Sequence, residues 1–327
     1  MSGWLYVLPD LRDDQRRRVL AAADGRIPVR FRQDLDEGGR AEAFAAAEII
    51  VGEPKPERLF GAPRLRWLQL TTAGADRYAG AALPPGLTVT CATGAYGFVI
   101  AEYLIGAILA VYRHIPEYVR QQERVVWQPR QPSRSLFGAS ALVLGTGDLG
   151  ATFARRLRAF GPREILGVRR TSAGPLPDFD EVHTTADLSQ LWGRADLVVC
   201  CLPGTAATRR LVDEAALRAM RPGALFVNVG RGSLVDPDVL ARVLASGHLS
   251  GAVLDVCDPE PLPPDHPLWK LDNVLITPHI AGVGFGAVPE TAERIVDLLC
   301  ANLRSYLSGE PLQSRVDLSA GYRRSQP

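Results

Sequence analysis

Residues 141–173 read ALVLGTGDLGATFARRLRAFGPREILGVRRTSA, and the pattern of this stretch decides the fold. An apolar run, 141–144, ends in a glycine-rich hexapeptide, and apolar residues at helical spacing follow it. Gly161-Pro162 ends that helix, and a second apolar run, 165–168, comes next. A G-x-G-x-x-G sequence in the order strand, turn, helix, strand predicts dinucleotide binding. The hexapeptide supplies six cofactor-binding candidates, which are Gly145, Thr146, Gly147, Asp148, Leu149 and Gly150.

Each glycine of the hexapeptide has its own predicted role. Gly145 allows a tight turn, Gly147 lets the backbone approach a pyrophosphate, and Gly150 lets the helix lie close to the sheet. The free N–H groups and the positive end of the helix dipole at that helix start favour a diphosphate. Because 31 glycines in 327 residues produce chance matches, the prediction depends on the flanking strand and helix pattern.

The end of the second predicted strand indicates which dinucleotide binds. An NAD site usually places Asp or Glu about 20 residues beyond the turn, where it accepts hydrogen bonds from ribose hydroxyls. This chain has Arg169, Arg170 and Thr171 there, and no carboxylate between Ile165 and Leu176. Guanidinium groups match phosphate oxygens as a planar fork. These three cofactor-binding candidates predict a preference for NADP(H), with NAD(H) as the second choice; the alternative is a solvated basic turn.

The composition is typical of a two-domain globular protein. A chain of 327 residues with 46% hydrophobic and 22% charged residues can bury sizeable cores. The net charge of +1 indicates no nucleic-acid or membrane partner, and no window resembles a membrane span or a secretory signal. The five cysteines lie mostly in apolar runs, which favours buried thiols and a cytoplasmic location. No Cys or His spacing resembles a metal site.

About the first 95 residues alternate strand and helix patterns without a glycine-rich turn, which predicts a separate small parallel α/β unit. One predicted strand, Leu65–Leu70, ends at a loop of small residues. Backbone N–H groups in such a loop form a concavity for an anion such as a carboxylate, so Ala73, Gly74 and Ala75 are substrate-binding candidates. An ordinary connection between a strand and a helix explains the same residues equally well.

The segments that flank the glycine-rich unit have distinct patterns. Residues 95–112 are apolar on nearly all sides, which predicts a buried helix connecting the two units. The proline-punctuated segment 115–134 predicts an irregular excursion that contains Trp127. A last helix is expected at 289–308, and the polar tail from Arg315 is expected to be mobile.

Polar residues follow the buried strands of the second half, where a parallel sheet holds its ligands. Arg231 stands between glycines, Glu260 between prolines, and His279 after a proline. Side by side, they form a coherent catalytic set. Arg231 pairs with a substrate carboxylate and polarises the neighbouring carbonyl, and His279 transfers the proton as hydride moves. Glu260 holds the imidazole and raises its pKa. Taken singly, each residue also fits an ordinary loop or sheet end.

Several motifs carry a resemblance that covers nearly the whole chain. They are VNVGRG (227–232), LDV (254–256), PEPL (259–262), ITPHIAG (276–282), LQLTTAGAD (68–76), AE (101–102) and LPGTAAT (202–208). With these segments the chain resembles the D-isomer-specific 2-hydroxyacid dehydrogenase family. Within that family it is most similar to NADP-dependent glyoxylate/hydroxypyruvate reductases, partly through Trp127.

The resemblance implies two Rossmann-like α/β domains with parallel sheets. A flavodoxin-like substrate domain comprises 1–96 and 289–327, and a dinucleotide-binding domain comprises 97–288. The same Arg, Glu and His form the implied catalytic set, and the 73–75 backbone is the implied carboxylate binder. The protein is implied to be a homodimer that acts on a small 2-keto or 2-hydroxy acid. The remaining predicted cofactor-binding residues are Leu202, Pro203, Thr208, Val229, Gly230, Asp255, Ala281 and Gly282.

Two departures refine the implied activity. NAD-using members carry Asp where this chain has Arg169, and formate dehydrogenases have Gln where this chain has Glu260. The sequence therefore predicts an NADPH-dependent reductase of small 2-keto acids, with glyoxylate or hydroxypyruvate preferred. Two alternatives stay open: an NADP-linked dehydrogenase of a bulkier D-2-hydroxy acid, and a non-catalytic dinucleotide-sensing protein of the same fold.

Overall fold

The computed structural model describes residues 3–171 and 174–323, so Ser172, Ala173 and the last four residues of the tail lie outside the described part. The chain divides into two compact units, Met1–Tyr96 with Val283–Pro327, and Gly97–Gly282. The chain thus returns to the first unit at Val283, ahead of the predicted position 289.

The first unit contains a five-stranded parallel sheet with the strand order β2-β1-β3-β4-β5. This is the flavodoxin-like order, in which the connection reverses between β1 and β3. The elements are β1 (Trp4–Val7), α1 (Asp13–Ala23), β2 (Val29–Phe31), α2 (Glu37–Ala46), β3 (Ala47–Val51), β4 (Trp67–Gln69) and β5 (Thr88–Thr90).

The second unit contains a seven-stranded parallel sheet with the order β12-β11-β10-β9-β6-β7-β8. Its strands are nearly continuous apolar runs, as expected for a sheet covered by helices on both faces. The elements are α3 (Gly97–Tyr112), α4 (Ile115–Glu123), β6 (Ser140–Leu144), α5 (Asp148–Leu157), β7 (Glu164–Arg169), β8 (Glu181–Thr184), α6 (Leu188–Leu191), β9 (Leu197–Cys200), α7 (Glu214–Ala219), β10 (Leu225–Asn228), α8 (Pro237–Ala245), β11 (Gly251–Leu254) and β12 (Val274–Ile276).

The chain then completes the first unit with α9 (Pro289–Ser308) and a short antiparallel pair, β13 (Val316–Asp317) and β14 (Tyr322–Arg323). Apolar residues of α9, among them Val296 and Leu303, share a core with Val19 of α1. The two parallel sheets confirm the predicted fold class of two Rossmann-like α/β domains.

Some sequence predictions were wrong in detail. The excursion at 115–134 begins with a helix, α4, because Pro116 lies in its first turn, where a missing N–H costs nothing. The tail beyond Arg315 is not free along its described length, since Arg315 forms a bridge with Thr90 and β13 pairs with β14. Within the described residues no single helix is long and apolar enough to span a membrane; α3 and α4 meet that test only together, as a pair bent by 63°.

Candidate active site

The glycine-rich turn lies at the carboxyl end of β6, next to the point where the strand order reverses between β6 and β9. Gly145 has φ +102°, a conformation that side chains disfavour, and a Cβ there would lie 2.9 Å from the carbonyl oxygen of Cys201. A Cβ on Gly150 would lie 1.9 Å from the carbonyl oxygen of Gly145. Both positions therefore exclude any residue larger than glycine.

Gly147 differs from its two neighbours in the motif. It is exposed, and a Cβ there would meet no atom within 4 Å. It also serves as the N-cap residue of α5, so the first N–H groups of that helix point past it. Open space directly in front of a helix N-terminus fits the diphosphate of a dinucleotide. Asp148, in the first turn, accepts a hydrogen bond from the Gly97 N–H at 3.1 Å, and Leu149 and Thr146 are half-buried.

The basic segment lies where β7 ends, on the strand next to β6. Arg169 is half-buried and pairs in register with Thr184 of β8, whereas Arg170 and Thr171 are exposed. In a Rossmann unit the end of this strand faces the adenosine ribose. The described part of the segment therefore offers two guanidinium groups and a hydroxyl at the position where NAD sites place a carboxylate.

The strand ends beyond β9 hold the remaining cofactor-binding candidates. After Leu202, the Thr208 hydroxyl donates to the Pro203 carbonyl oxygen at 2.7 Å and accepts from the Thr205 N–H at 2.9 Å, which closes a tight loop. The Val229 N–H donates to the Cys200 carbonyl oxygen at 3.1 Å, so the ends of β9 and β10 stay paired.

Arg231 follows β10 on a backbone that neighbours enclose on both sides. A Cβ on Gly230 would lie 2.5 Å from the Leu202 carbonyl oxygen, and one on Gly232 would lie 1.8 Å from the Cys257 carbonyl oxygen. The Asn228 amide donates to the Arg231 carbonyl oxygen at 2.9 Å and accepts from the Gly230 N–H at 3.1 Å. The backbone of Arg231 is therefore held in place by its neighbours. The side-chain Nη1 of Arg231 donates to the Gly230 carbonyl oxygen at 2.7 Å.

Glu260 and His279 lie together. His279 Nδ1 is 2.7 Å from Glu260 Oε1, and the two side chains are 49% and 44% exposed. Because an ionised carboxylate only accepts, Nδ1 carries the hydrogen of this bond and Nε2 is the nitrogen left to exchange a proton with solvent or substrate. His279 has φ +55°, which is unusual for a residue with a side chain and marks a constrained loop.

The carboxylate of Asp255, which is 2% exposed, holds that loop. Its Oδ1 accepts from the Thr277 hydroxyl at 2.6 Å and the Ile280 N–H at 2.8 Å, and its Oδ2 accepts from the Ala281 N–H at 2.9 Å. The backbone N–H of His279 donates to the Asp255 carbonyl oxygen at 2.9 Å. Asp255 thus fixes the backbone on both sides of the histidine. Gly282, which follows Ala281, is the last residue of the second unit.

Sequence reasoning missed three residues that support these loops. Thr277 gives its only hydroxyl hydrogen to Asp255, so the Tyr103 hydroxyl, 2.6 Å away, donates to Thr277. Burial raises the pKa of Tyr103 to about 12, which keeps that donor protonated. Asn228 is the last residue of β10, and Thr277 directly follows β12. A polar residue at the end of an apolar strand was the sequence signal that could have identified both.

In the first unit, the loop after β4 is anchored by a residue that the sequence did not single out. The carboxylate of Glu53 accepts from the N–H groups of Thr71 and Thr72, at 2.6 and 3.0 Å. The N–H groups of Ala73, Gly74 and Ala75 donate no hydrogen bond among the described residues, and Ala73 and Gly74 are half-buried. The loop can therefore offer these three donors to an anion.

The comparisons with known proteins agree with this arrangement. Residues 105–281 match the family model described as D-isomer specific 2-hydroxyacid dehydrogenase, NAD binding domain. The chain belongs to the D-isomer specific 2-hydroxyacid dehydrogenase family. This confirms the resemblance that the motifs indicated, and it makes the protein an oxidoreductase whose second unit is the nicotinamide-dinucleotide-binding domain. Among residues 3–171 and 174–323, no cluster of three or more His, Cys, Asp or Glu side chains forms a metal site.

Relatives of this dehydrogenase chain include enzymes and solved structures. It is 33% identical to a glyoxylate reductase of Thermofilum pendens over 80% of this chain and 78% of that protein. A family member from Aeromonas salmonicida is 31% identical, with TM-score 0.83 over 97% of this chain and 100% of that one. A member from Xanthobacter autotrophicus Py2, solved with NADPH, is 31% identical, with TM-score 0.81 over 98% and 100%.

Proposed function

We propose that this dehydrogenase reduces small 2-keto acids of the glyoxylate/hydroxypyruvate type to D-2-hydroxy acids, with NADPH as the preferred reductant. The observation that carries the proposal is the bond between Glu260 and His279, 2.7 Å long, on a loop that Asp255 fixes. The likeness to a glyoxylate reductase of Thermofilum pendens supports the substrate class.

The nicotinamide cofactor supplies the hydride when it is bound. His279 donates the proton from Nε2 to the carbonyl oxygen of the keto acid, while Glu260 keeps the ring in one orientation through Nδ1. Arg231 pairs with the substrate carboxylate and polarises the carbonyl beside it. In the first unit, the N–H groups of Ala73, Gly74 and Ala75 bind the carboxylate oxygens. In the oxidative direction His279 takes the proton back.

The residues present fit NADP(H). The space in front of Gly147 would accept the diphosphate, and Arg169, Arg170 and Thr171, at the end of β7, would bind the 2′-phosphate. The relative from Xanthobacter autotrophicus was solved with NADPH, and it supports the same choice. The other cofactor contacts that we propose come from strand ends: the 202–208 loop, Val229 and Gly230, Asp255, and Ala281 and Gly282.

Initial rates test this function. NADPH and NADH oxidation is followed at 340 nm with glyoxylate, hydroxypyruvate, pyruvate and phenylpyruvate. Faster turnover with NADPH on the two small acids is the expected result. Preference for NADH would contradict the phosphate-binding role of Arg169, and preference for phenylpyruvate would indicate a dehydrogenase of bulkier acids. NADPH binding without turnover on any acid would indicate a sensing protein.

We also propose that the protein is a homodimer that associates through its second unit. Three large apolar side chains of that unit are strongly exposed, Val125 at 94%, Trp127 at 98% and Phe137 at 77%. Exposed apolar residues grouped along one segment are typical of an association surface. Sedimentation equilibrium is expected to give twice the chain mass of 35.4 kDa, and Trp127→Ser is expected to weaken the association. A wild-type mass of one chain at micromolar concentration would contradict the proposal.

A further inference from the structure

The first unit contains a cavity of about 1060 Å³ that no step of the proposed reaction uses. Its walls include Leu8 and Pro9 after β1, Gly52 and Glu53 after β3, and Thr71 after β4. It therefore lies outside the carboxyl ends of β1 and β3, where the sheet order reverses. In flavodoxin-like sheets this reversal is the place where ligands bind.

Positive charge dominates the lining of this cavity. Besides Arg32, which pairs with Asp10 at 2.8 Å, four cations line it without forming an ion pair among the described residues. They are Arg40, Lys55, Arg58 and Arg77. Three carboxylates face the same space: Asp10, Glu37 and Glu53. Asp10 is neutralised by Arg32. Glu53 accepts hydrogen bonds from Thr71 and Thr72 but keeps its charge, so two carboxylates, Glu37 and Glu53, oppose the four cations and the net charge of the lining stays positive.

Three of the arginines that line the cavity act on the same side chain, Tyr6. The Tyr6 side chain, which lines the cavity, experiences the positive charges of Arg40, Arg32 and Arg58 at once, although burial still raises its pKa. The Arg58 guanidinium lies 5.3 Å from the centroid of the Phe44 ring, which restricts its orientation. Guanidinium groups that line one cavity together with a protonated phenol form a suitable site for a carboxylate or a phosphate.

We propose that this cavity binds a second anionic group of the substrate, so that the enzyme prefers 2-keto acids with a distal carboxylate or phosphate over acids of the same length whose distal end is uncharged. The inference rests on the proposed function. Thr71 relates the two proposed binding places, because it lines the cavity and lies two residues before Ala73, where the N–H groups proposed for the first carboxylate begin.

Matched pairs of keto acids test the proposal. 2-Oxoglutarate is compared with 2-oxopentanoate, and oxaloacetate with 2-oxobutanoate, because each pair shares its chain length and differs in one distal charge. We expect kcat/KM to favour the dianion at least about tenfold in the wild type. Arg40→Gln with Arg58→Gln should remove most of that ratio and leave the rate on the two monoanionic acids unchanged. Arg64→Gln, an exposed arginine of the same unit outside the cavity, is the control.

A binding measurement separates this inference from the proposed function. Calorimetric titration of each pair into protein saturated with NADP⁺ reports affinity without hydride transfer. Tighter binding of the dianion, lost in the double variant and kept in the control, supports the cavity even if every acid fails as a substrate. Equal affinities within each pair, or an unchanged ratio in the double variant, would overturn it. Distal-phosphate keto acids in the same titration distinguish phosphate from carboxylate as the preferred group.

Discussion

The Glu260 carboxylate lies 2.7 Å from Nδ1 of His279, although 19 residues separate the two in sequence. The pair is half-exposed, so solvent reaches it, and its geometry depends on the loops that carry it rather than on burial. The two residues are therefore expected to contribute differently to catalysis.

His279→Asn should lower kcat on glyoxylate by about 10²- to 10⁴-fold, because it removes the proton donor. Glu260→Gln keeps a hydrogen-bond acceptor for Nδ1 but loses the charge, so its loss in kcat should be smaller and should change with pH. Fluorescence titration should give an unchanged NADPH dissociation constant for both variants. Wild-type turnover by His279→Asn would show that another group donates the proton.

The glycines of the turn predict two different defects. Gly147→Ala meets no atom within 4 Å, so it should fold normally and weaken NADPH binding at least about tenfold by filling the diphosphate space. Gly150→Ala places its Cβ 1.9 Å from the Gly145 carbonyl oxygen, so it should lower the free energy of unfolding by several kcal/mol. Denaturant unfolding and NADPH titration of both variants check this. Equal stability losses would contradict it.

Asp255 is expected to act through the loop that carries His279. Asp255→Ala leaves the Ile280 and Ala281 N–H groups without their acceptor, which should cost about 1–3 kcal/mol of unfolding free energy for each unsatisfied group. It should also lower kcat more than it raises KM for the keto acid. Asp272→Ala, an exposed carboxylate of the same unit, serves as the control. A normal kcat in Asp255→Ala would rule out the positioning role.

A buried polar network joins α9 to the sheet of the first unit. Asn302 and Thr90 both donate to the Gln69 amide oxygen, at 3.0 and 2.9 Å, and none of these residues is exposed. Asn302→Leu leaves that oxygen with one donor fewer and leaves the Gln313 N–H without its acceptor. We expect a loss of about 2–4 kcal/mol in unfolding free energy. Arg304→Leu, on the exposed face of the same helix, should change the free energy of unfolding by less than about 0.5 kcal/mol, as is usual for surface substitutions.

Arg194 predicts a pH-dependent stability. It holds the pKa of Glu181 at about 2, below the ordinary 4.5, with His183 contributing less. A lowered carboxyl pKa stabilises the fold above pH 4.5, and the benefit disappears as pH falls toward 2. Since the Glu181 side chain is 44% exposed, Arg194→Met should cost only about 0.5–1 kcal/mol at pH 7. Urea unfolding should show that the cost is constant above pH 5 and vanishes near pH 2. A cost independent of pH would contradict this origin.

The sequence predicted the central strands well because they are apolar runs bounded by glycine or polar residues, as at Ser140–Leu144. It missed Val29–Phe31 and Glu181–Thr184, which lie at sheet edges. An edge strand is paired on one side only and keeps residues such as Arg30 and Glu181, so its local pattern is that of a loop. These two segments become strands only by pairing with β1 and β7, their neighbours in the folded sheets.

At the candidate site, residue types and strand ends predicted Arg231, Glu260 and His279, and the structure brings the last two into contact. The supporting side chains were beyond the reach of local patterns. Glu53 reaches a loop 18 residues away, and Tyr103 contacts Thr277 across 174 residues, so tertiary packing alone determines these contacts. The N–H groups of residues 73–75 could be recognised as available donors only from the structure, where Glu53 accepts from the N–H groups of Thr71 and Thr72 just before them.

The route of the chain has a consequence for its synthesis. The dinucleotide-binding unit is one continuous segment, Gly97–Gly282, so it can fold on the ribosome as soon as that segment has left the exit tunnel. The first unit is made earlier but lacks α9, whose apolar face completes its core. One surface of its sheet therefore stays uncovered until α9 is made, while nearly two hundred further residues, by a rough count, are translated. The first unit is thus expected to complete its core after the dinucleotide-binding unit, although its first strands are translated earlier.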